Sequence, residues 1–248
     1  MTLFARLRAI QDKDKAALVR QLMENSTPDF DYFYLIGLST LMATMGLLLN
    51  SGSIVIGSML IAPLMYPILG VALGLVMSNY NVLGRSVSTL TKSVGAGLGL
   101  SVIAAFFFGD ATMYATAEVM SRTEPHLLHF FVAVVAGAAV AYVMARPEWS
   151  ATLPGVAIAV ALIPPLAAVG VGIAALDPII IKGASLILGL NFLGIIFAAV
   201  VIFLLMNLSE QQNQNIAVST IKREEQKVEE ENQAIEEVAK ELSEEANQ

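Results

Sequence analysis

Two proline pairs interrupt stretches of sequence that are otherwise apolar. Pro63 and Pro67 stand in Ile61-Ala62-Pro63-Leu64-Met65-Tyr66-Pro67, and Pro164 and Pro165 stand in Ile163-Pro164-Pro165-Leu166. A proline within a helix has no N–H to donate and clashes with the carbonyl one turn back, so the helix kinks or breaks. A break frees main-chain carbonyls, which suit a cation, and amides, which suit an anion. In hydrocarbon, freed groups persist only where protein or a water-lined cavity covers them. Three polar side chains accompany the prolines: Ser58 five residues before Pro63, Tyr66 between Pro63 and Pro67, and Asn191 inside a later apolar run. An amide in lipid is costly without a partner. Ser58, Pro63, Tyr66, Pro67, Pro164, Pro165 and Asn191 therefore form the candidate substrate-binding set. Each polar member also has a structural alternative: Ser58 bonding its own helix, Tyr66 filling a gap between helices, and Asn191 bridging two of them.

Other chemistry has little to work with. Past Asp29 and Asp31 at the start of the first, the apolar stretches contain no Asp or Glu, which removes the usual carboxylate proton relay from their interior. Lys92 and His129 lie near predicted span ends, where their polar tips reach the interface. His126 and His129 are three apart but lack an evident third metal ligand. With no cysteine, disulfides, thiolate metal sites and cysteine nucleophiles are excluded. Neither a nucleotide-binding glycine pattern nor a Gly-x-Ser-x-Gly elbow is present. The sequence therefore predicts no enzyme, no cofactor, no metal site and no nucleic-acid partner.

The elements that must position these residues are long and apolar. Hydrophobic residues make up 56% of the 248, charged residues 14%, and mean hydropathy is +0.70. A soluble domain is about a quarter charged. The chain reads as an all-α integral membrane protein with six spans, each meeting the roughly 20-residue crossing length. The first starts with Thr27 as N-cap and Pro28 at the first helical position, and continues to 49. Phe30, Tyr32, Phe33 and Tyr34 form an interfacial aromatic belt at its start. The others run 54–78, 86–108, 127–145, 153–176 and 183–206, with polar turns at 50–53 and 79–84 and a loop at 109–125. Lys and Arg number 12 on the N-terminal side and 2 on the other. The positive-inside rule then places both termini in the cytoplasm, with the protein multi-pass in the cytoplasmic membrane.

A shift of 102 residues aligns Leu60, Ile61, Pro63, Leu64 and Gly70 with Leu162, Ile163, Pro165, Leu166 and Gly172. The same shift lays span one on four and span three on six. It predicts a duplicated three-span unit, repeat one at 28–109 and repeat two at 126–208, each with a proline-broken second helix. Three is odd, so the copies are inverted, as in many secondary transporters. If the broken segments re-enter instead of crossing, the copies are parallel. By helical rise, Pro63 lies ~14 Å and Pro165 ~18 Å into its span, near the middle of a ~30 Å core.

Residues 1–27 read as an amphipathic N-terminal helix. Phe4, Leu7, Ile10, Leu18 and Leu22 lie among Arg6, Arg8, Lys13, Lys15 and Arg20. It rests either on membrane lipid or on the protein's own cytoplasmic face. Residues 209–248 hold 11 acidic and 4 basic residues, so the net charge of −7 resides wholly in this tail. Ile221, Val228, Ile235 and Leu242 recur every seven residues, a coiled-coil seam weakened by Glu224 and Glu231. The pattern predicts a helical tail that supports a homo-oligomer and offers a surface to a cytoplasmic protein partner.

Gly57-Ser58-Met59-Leu60-Ile61-Ala62-Pro63-Leu64-Met65 resembles one signature of a prokaryotic family known as domain of unknown function 389. Ala161-Leu162-Ile163-Pro164-Pro165-Leu166-Ala167-Ala168-Val169-Gly170, with Asn191-Phe192-Leu193-Gly194-Ile195, resembles a second. The resemblance covers about residues 32–207 and implies a multi-span membrane protein, without an activity or assigned residues. Many relatives carry a soluble domain before the spans, where this chain has about thirty residues. Two functions follow as expectations. One is a transporter- or channel-like protein with a cavity at the proline breaks. The other is a non-transporting membrane scaffold acting through its tail.

Overall fold

The computed structural model describes residues 12–26, 29–145, 153–209 and 211–245. Its regular elements there are all helical: α1 (Asp12–Glu24), α2 (Phe30–Leu48), α3 (Gly52–Met59), α4 (Met65–Val76), α5 (Tyr80–Phe108), α6 (Ala117–Met120), α7 (Leu127–Met144), α8 (Leu153–Ala174), α9 (Pro178–Leu205) and α10 (Gln211–Glu245). Four of them, α2, α5, α7 and α9, are long and apolar enough to cross a membrane. The chain is a helical membrane protein.

Side-chain caps set where several helices begin. Asp29 accepts the Tyr32 amide at 2.7 Å and is the N-cap of α2. The expected N-cap, Thr27, and Pro28 lie outside the described residues. Asn79 accepts the amides of Asn81 and Val82, so α5 starts at Tyr80, within the expected 79–84 turn. Asp177 does the same for Ile179 and Ile180, with Pro178 at the first helical position, so α9 starts before 183. A capping carboxylate or amide satisfies amides that have no intrahelical partner, and this outweighs the polarity of the residues that follow.

The turns after α4 and α8 have one hydrogen-bond pattern. Ser78 and Leu176 both take left-handed backbone, with φ of 50° and 54°. The Asn79 amide bonds the Gly74 carbonyl at 3.0 Å, and the Asp177 amide bonds the Gly172 carbonyl at 2.9 Å. Gly74 and Gly172 let the next helix approach: a Cβ there would lie 2.7 Å from the Leu83 nitrogen and 2.9 Å from the Ile181 nitrogen. Each of these pairs is separated by 98 residues. The proline-based shift of 102 would put the turns four residues out of step, whereas 98 aligns Pro67 with Pro165.

Cross-helix contacts fix the directions. Tyr32 meets Ser93 and Thr44 meets Ser101, so α2 and α5 run in the same sense. Gly97 lies against Leu166 and the Ser101 hydroxyl bonds the Ala167 carbonyl, so α8 shares that sense. The turn at Leu176 reverses α9. Gly194 lies against Ala133 and Gly137 against Ile195 and Ala198, which sets α7 parallel to α9 and opposed to α2.

The first proline segment is broken and the second is not. Helix α3 descends beside α2, with Val55 against Gly46 and Ser58 bonded to Ser39. Residues 60–64 leave the helix, and α4 continues in the same sense, with Gly70 beside Ser86 and Gly74 beside Leu83. The chain passes through this break without doubling back. Helix α8, by contrast, runs through Pro164 and Pro165, against the expected second break. Residues 162–172 of α8 are buried, with α2, α3, α4, α5, α7 and α9 packed around it. That casing holds the helix together despite two missing N–H donors.

Leu18, Val19, Leu22 and Met23 of α1 are buried, and α1 packs against α4 and α10. The described part of the N-terminal amphipathic segment thus turns its apolar face to the protein. Phe4, Leu7 and Ile10 lie outside the described residues. In α10, Ala217 and Ile221 are buried while Ile235 is exposed.

Candidate functional site

The break between α3 and α4 is held by hydroxyls. The Ser58 hydroxyl donates to the Val55 carbonyl at 2.6 Å. Its carbonyl accepts from the Ser39 hydroxyl at 2.7 Å and from the Ile61 amide at 3.2 Å. Pro63 has no N–H to offer the Met59 carbonyl, so α3 ends there. Pro67 sits in the first turn of α4, where amides lack intrahelical acceptors and a proline is tolerated.

Pro63 and Tyr66 line a cleft of about 200 Å³ with Glu24, Asn25, Asp29, Asp31, Tyr32 and Leu35. Among the described residues its lining carries three carboxylates and no basic side chain, so their field favours cations. The cleft lies beside the first turns of α2. It also lies near the midpoint of the 29-residue α5, because Tyr32 bonds Ser93 at 2.9 Å.

Behind the cleft runs a buried hydroxyl network absent from the sequence-based set. The Thr89 hydroxyl bonds the Ser26 carbonyl at 3.2 Å, Ser93 bonds the Thr89 carbonyl at 2.7 Å, and Thr44 bonds Ser101 at 2.8 Å. Ser86, Thr89, Ser93, Gly97 and Ser101 recur at steps of three and four, one helical face of α5. That spacing was the available signal. Their partners on α2 and α8 are distant in sequence.

The structure thus gathers Ser58, Pro63, Tyr66 and Pro67 around one break. Pro164 and Pro165 are buried within α8 and do not line the cleft. Asn191 is buried on α9, also outside the cleft, at the position 98 residues after Ser93. His126 takes the N-cap position of α7 with no side-chain cap bond. Lys92 precedes Ser93, level with the first turn of α2, and is exposed.

Residues 59–197 match the family described as Domain of unknown function (DUF389). The chain belongs to this family. The matched stretch holds the break, both proline pairs and Asn191. An uncharacterized protein of Methanocaldococcus jannaschii is 27% identical to this DUF389 chain over 198 residues, which cover 78% of the chain and 61% of that relative. The chain thus spans about three fifths of the length of the curated relative it matches. No solved structure matches it.

Proposed function

We propose that this DUF389 protein is a transporter- or channel-like protein that moves a small solute or ion across a prokaryotic inner membrane. The observation that carries the reading is the break at 60–64, which opens onto an acidic cleft near the midpoint of α5. A cation is the favoured cargo, since Glu24, Asp29 and Asp31 surround the cleft without a basic counterpart among the described residues. We take the protomer as six spans in two inverted units, α2–α5 and α7–α9. The opposed directions of α2 and α7 and the recurrence of the turn at 98 residues support this. Transport then follows from one unit rocking against the other. Pro164 and Pro165 leave two carbonyls of α8 without helical donors, a weak point at which the second unit bends. Both termini lie in the cytoplasm on the lysine and arginine count, and the heptad of α10 supports a homo-oligomer.

The test uses the absence of native cysteine. Single cysteines at Ala62 and Ala161 are exposed to a membrane-impermeant thiol reagent from each side, with Ser51 as a loop control. Labelling that depends on side and changes with added cations supports the reading. Protection of both positions from both sides, with Ser51 labelled, replaces the transporter with a sealed scaffold that recruits partners through α10. Once flux is measured, Tyr66→Phe tests the cleft directly, and unchanged flux removes Tyr66 from it.

A further inference from the structure

Helix α9 is apolar along its whole length except for Lys182 and the neutral polar Ser185 and Asn191. Lys182 lies in the second turn of α9, near the end of the span, where a lysine extends its ammonium to the headgroup level. Among the described residues, Lys182 is exposed and no carboxylate lies within ion-pairing distance of it. Ile179 and Leu186 flank it at i−3 and i+4, so the three form one stripe with the charge in the middle. Both neighbours are exposed, at 69% and 48%.

This stripe forms one wall of a groove of about 370 Å³. The loop residues Thr123 and Pro125 form the other wall. Gly183 brings the walls together, because a Cβ there would overlap the Thr123 carbonyl. The volume lies within the roughly 300–1,000 Å³ of small-molecule sites. It accommodates a lipid headgroup and the first carbons of a chain, with the rest of the chain lying along exposed apolar surface.

We infer that the groove between α9 and the 123–125 loop binds a membrane glycerophospholipid, with its phosphate on Lys182 and an acyl chain along Leu186. The complementarity has two parts. A phosphate neutralises the unpaired ammonium, as in basic pockets between membrane helices, and the apolar flanks match the chain, which a free anion would not use. The nearby carboxylates do not occupy the lysine. Asp177 caps α9 through the Ile179 and Ile180 amides, and Glu124 is exposed on the loop. This inference does not depend on transport.

Native mass spectrometry of the full chain in detergent tests it, with phosphatidylglycerol, diacylglycerol of the same chains, and inorganic phosphate as probes. One phosphatidylglycerol is expected to bind about fivefold more tightly to the parent and to Lys182→Arg than to Lys182→Gln. Diacylglycerol is expected to bind all three alike. Leu186→Ser weakens phosphatidylglycerol with Lys182 in place. Equal phosphatidylglycerol binding by the parent and Lys182→Gln overturns the site. Displacement of the lipid by millimolar inorganic phosphate assigns Lys182 to a soluble anion and overturns the lipid assignment.

Discussion

The Ser39 hydroxyl donates to the Ser58 carbonyl at 2.7 Å, joining α2 to the last turn of α3. The Ile61 amide shares that carbonyl, so the bond holds the chain where the helix gives way. Ser39→Ala is expected to cost about 1 kcal/mol of stability and to speed thiol labelling of a cysteine at Ala62. A thermal midpoint and labelling rate equal to those of the parent would mean that the bond does not hold the break.

Left-handed backbone is unfavourable for a side chain with a Cβ. Leu176 adopts it with its side chain 85% exposed, so little packing opposes its removal. Leu176→Gly removes about 1–2 kcal/mol of left-handed strain against roughly 0.5–1 kcal/mol for the extra freedom of glycine in the unfolded chain, and is expected to stabilise the protein by up to about 1 kcal/mol. Asn50 adopts it too, but its side chain accepts the Glu118 amide at 3.0 Å. Asn50→Gly is expected to destabilise. Chemical unfolding checks the opposite signs, and a shared sign would refute the account.

Gly74→Ala and Gly172→Ala each drive a Cβ into the backbone of the following helix. Each is expected to cost about 1–3 kcal/mol, the range for overpacking. Gly84→Ala, with open space at its Cβ, is expected to stabilise α5 by up to about 1 kcal/mol. Unfolding midpoints rank the three. A tolerated Gly172→Ala beside a damaging Gly74→Ala would mean that the two turns do not bear equal load.

Asp110 lies in the loop after α5, where its carboxylate accepts from the Thr112 hydroxyl and from the amides of Met113 and Thr112. These bonds favour the charged form and hold its carboxyl below the usual carboxylate range. Their stabilisation is therefore present above the ordinary carboxylate pKa and is lost as pH falls through the lower folded value. Hydrogen exchange at Thr112 and Met113, corrected for intrinsic rates, is expected to quicken only in that acid range. In Asp110→Asn the dependence is expected to vanish, and its persistence would place the titrating group elsewhere.

Helix positions were largely readable, because long apolar runs between polar turns leave few alternatives in a membrane. The position of the break was readable from Pro63, whose missing donor acts locally. Helix continuity at Pro164 and Pro165 was not, because burial among six other helices overrides the local preference. The 98-residue spacing was hidden for a related reason. It depends on left-handed backbone at Ser78 and Leu176, and neither is the glycine that usually marks such a turn. Matching prolines suggested 102 instead. Tyr32 with Ser93 and Thr44 with Ser101 are pairs 61 and 57 residues apart, so one sequence shows the hydroxyls without their partners. The apolar face of α1 was visible at Leu18 and Leu22, whereas its contact with α4 and α10 was set by the tertiary fold.

The connection between α5 and α7 is fastened at both ends. The Thr116 hydroxyl bonds the Leu47 carbonyl at 2.7 Å, the Glu118 amide bonds the Asn50 side chain at 3.0 Å, and Thr123 presses on Gly183 of α9. Mechanically this is a riveted strap, not a slack leash. Any rocking of α2–α5 against α7–α9 must pivot near it, with displacement growing along the lever arm toward the end where α1 and α10 meet.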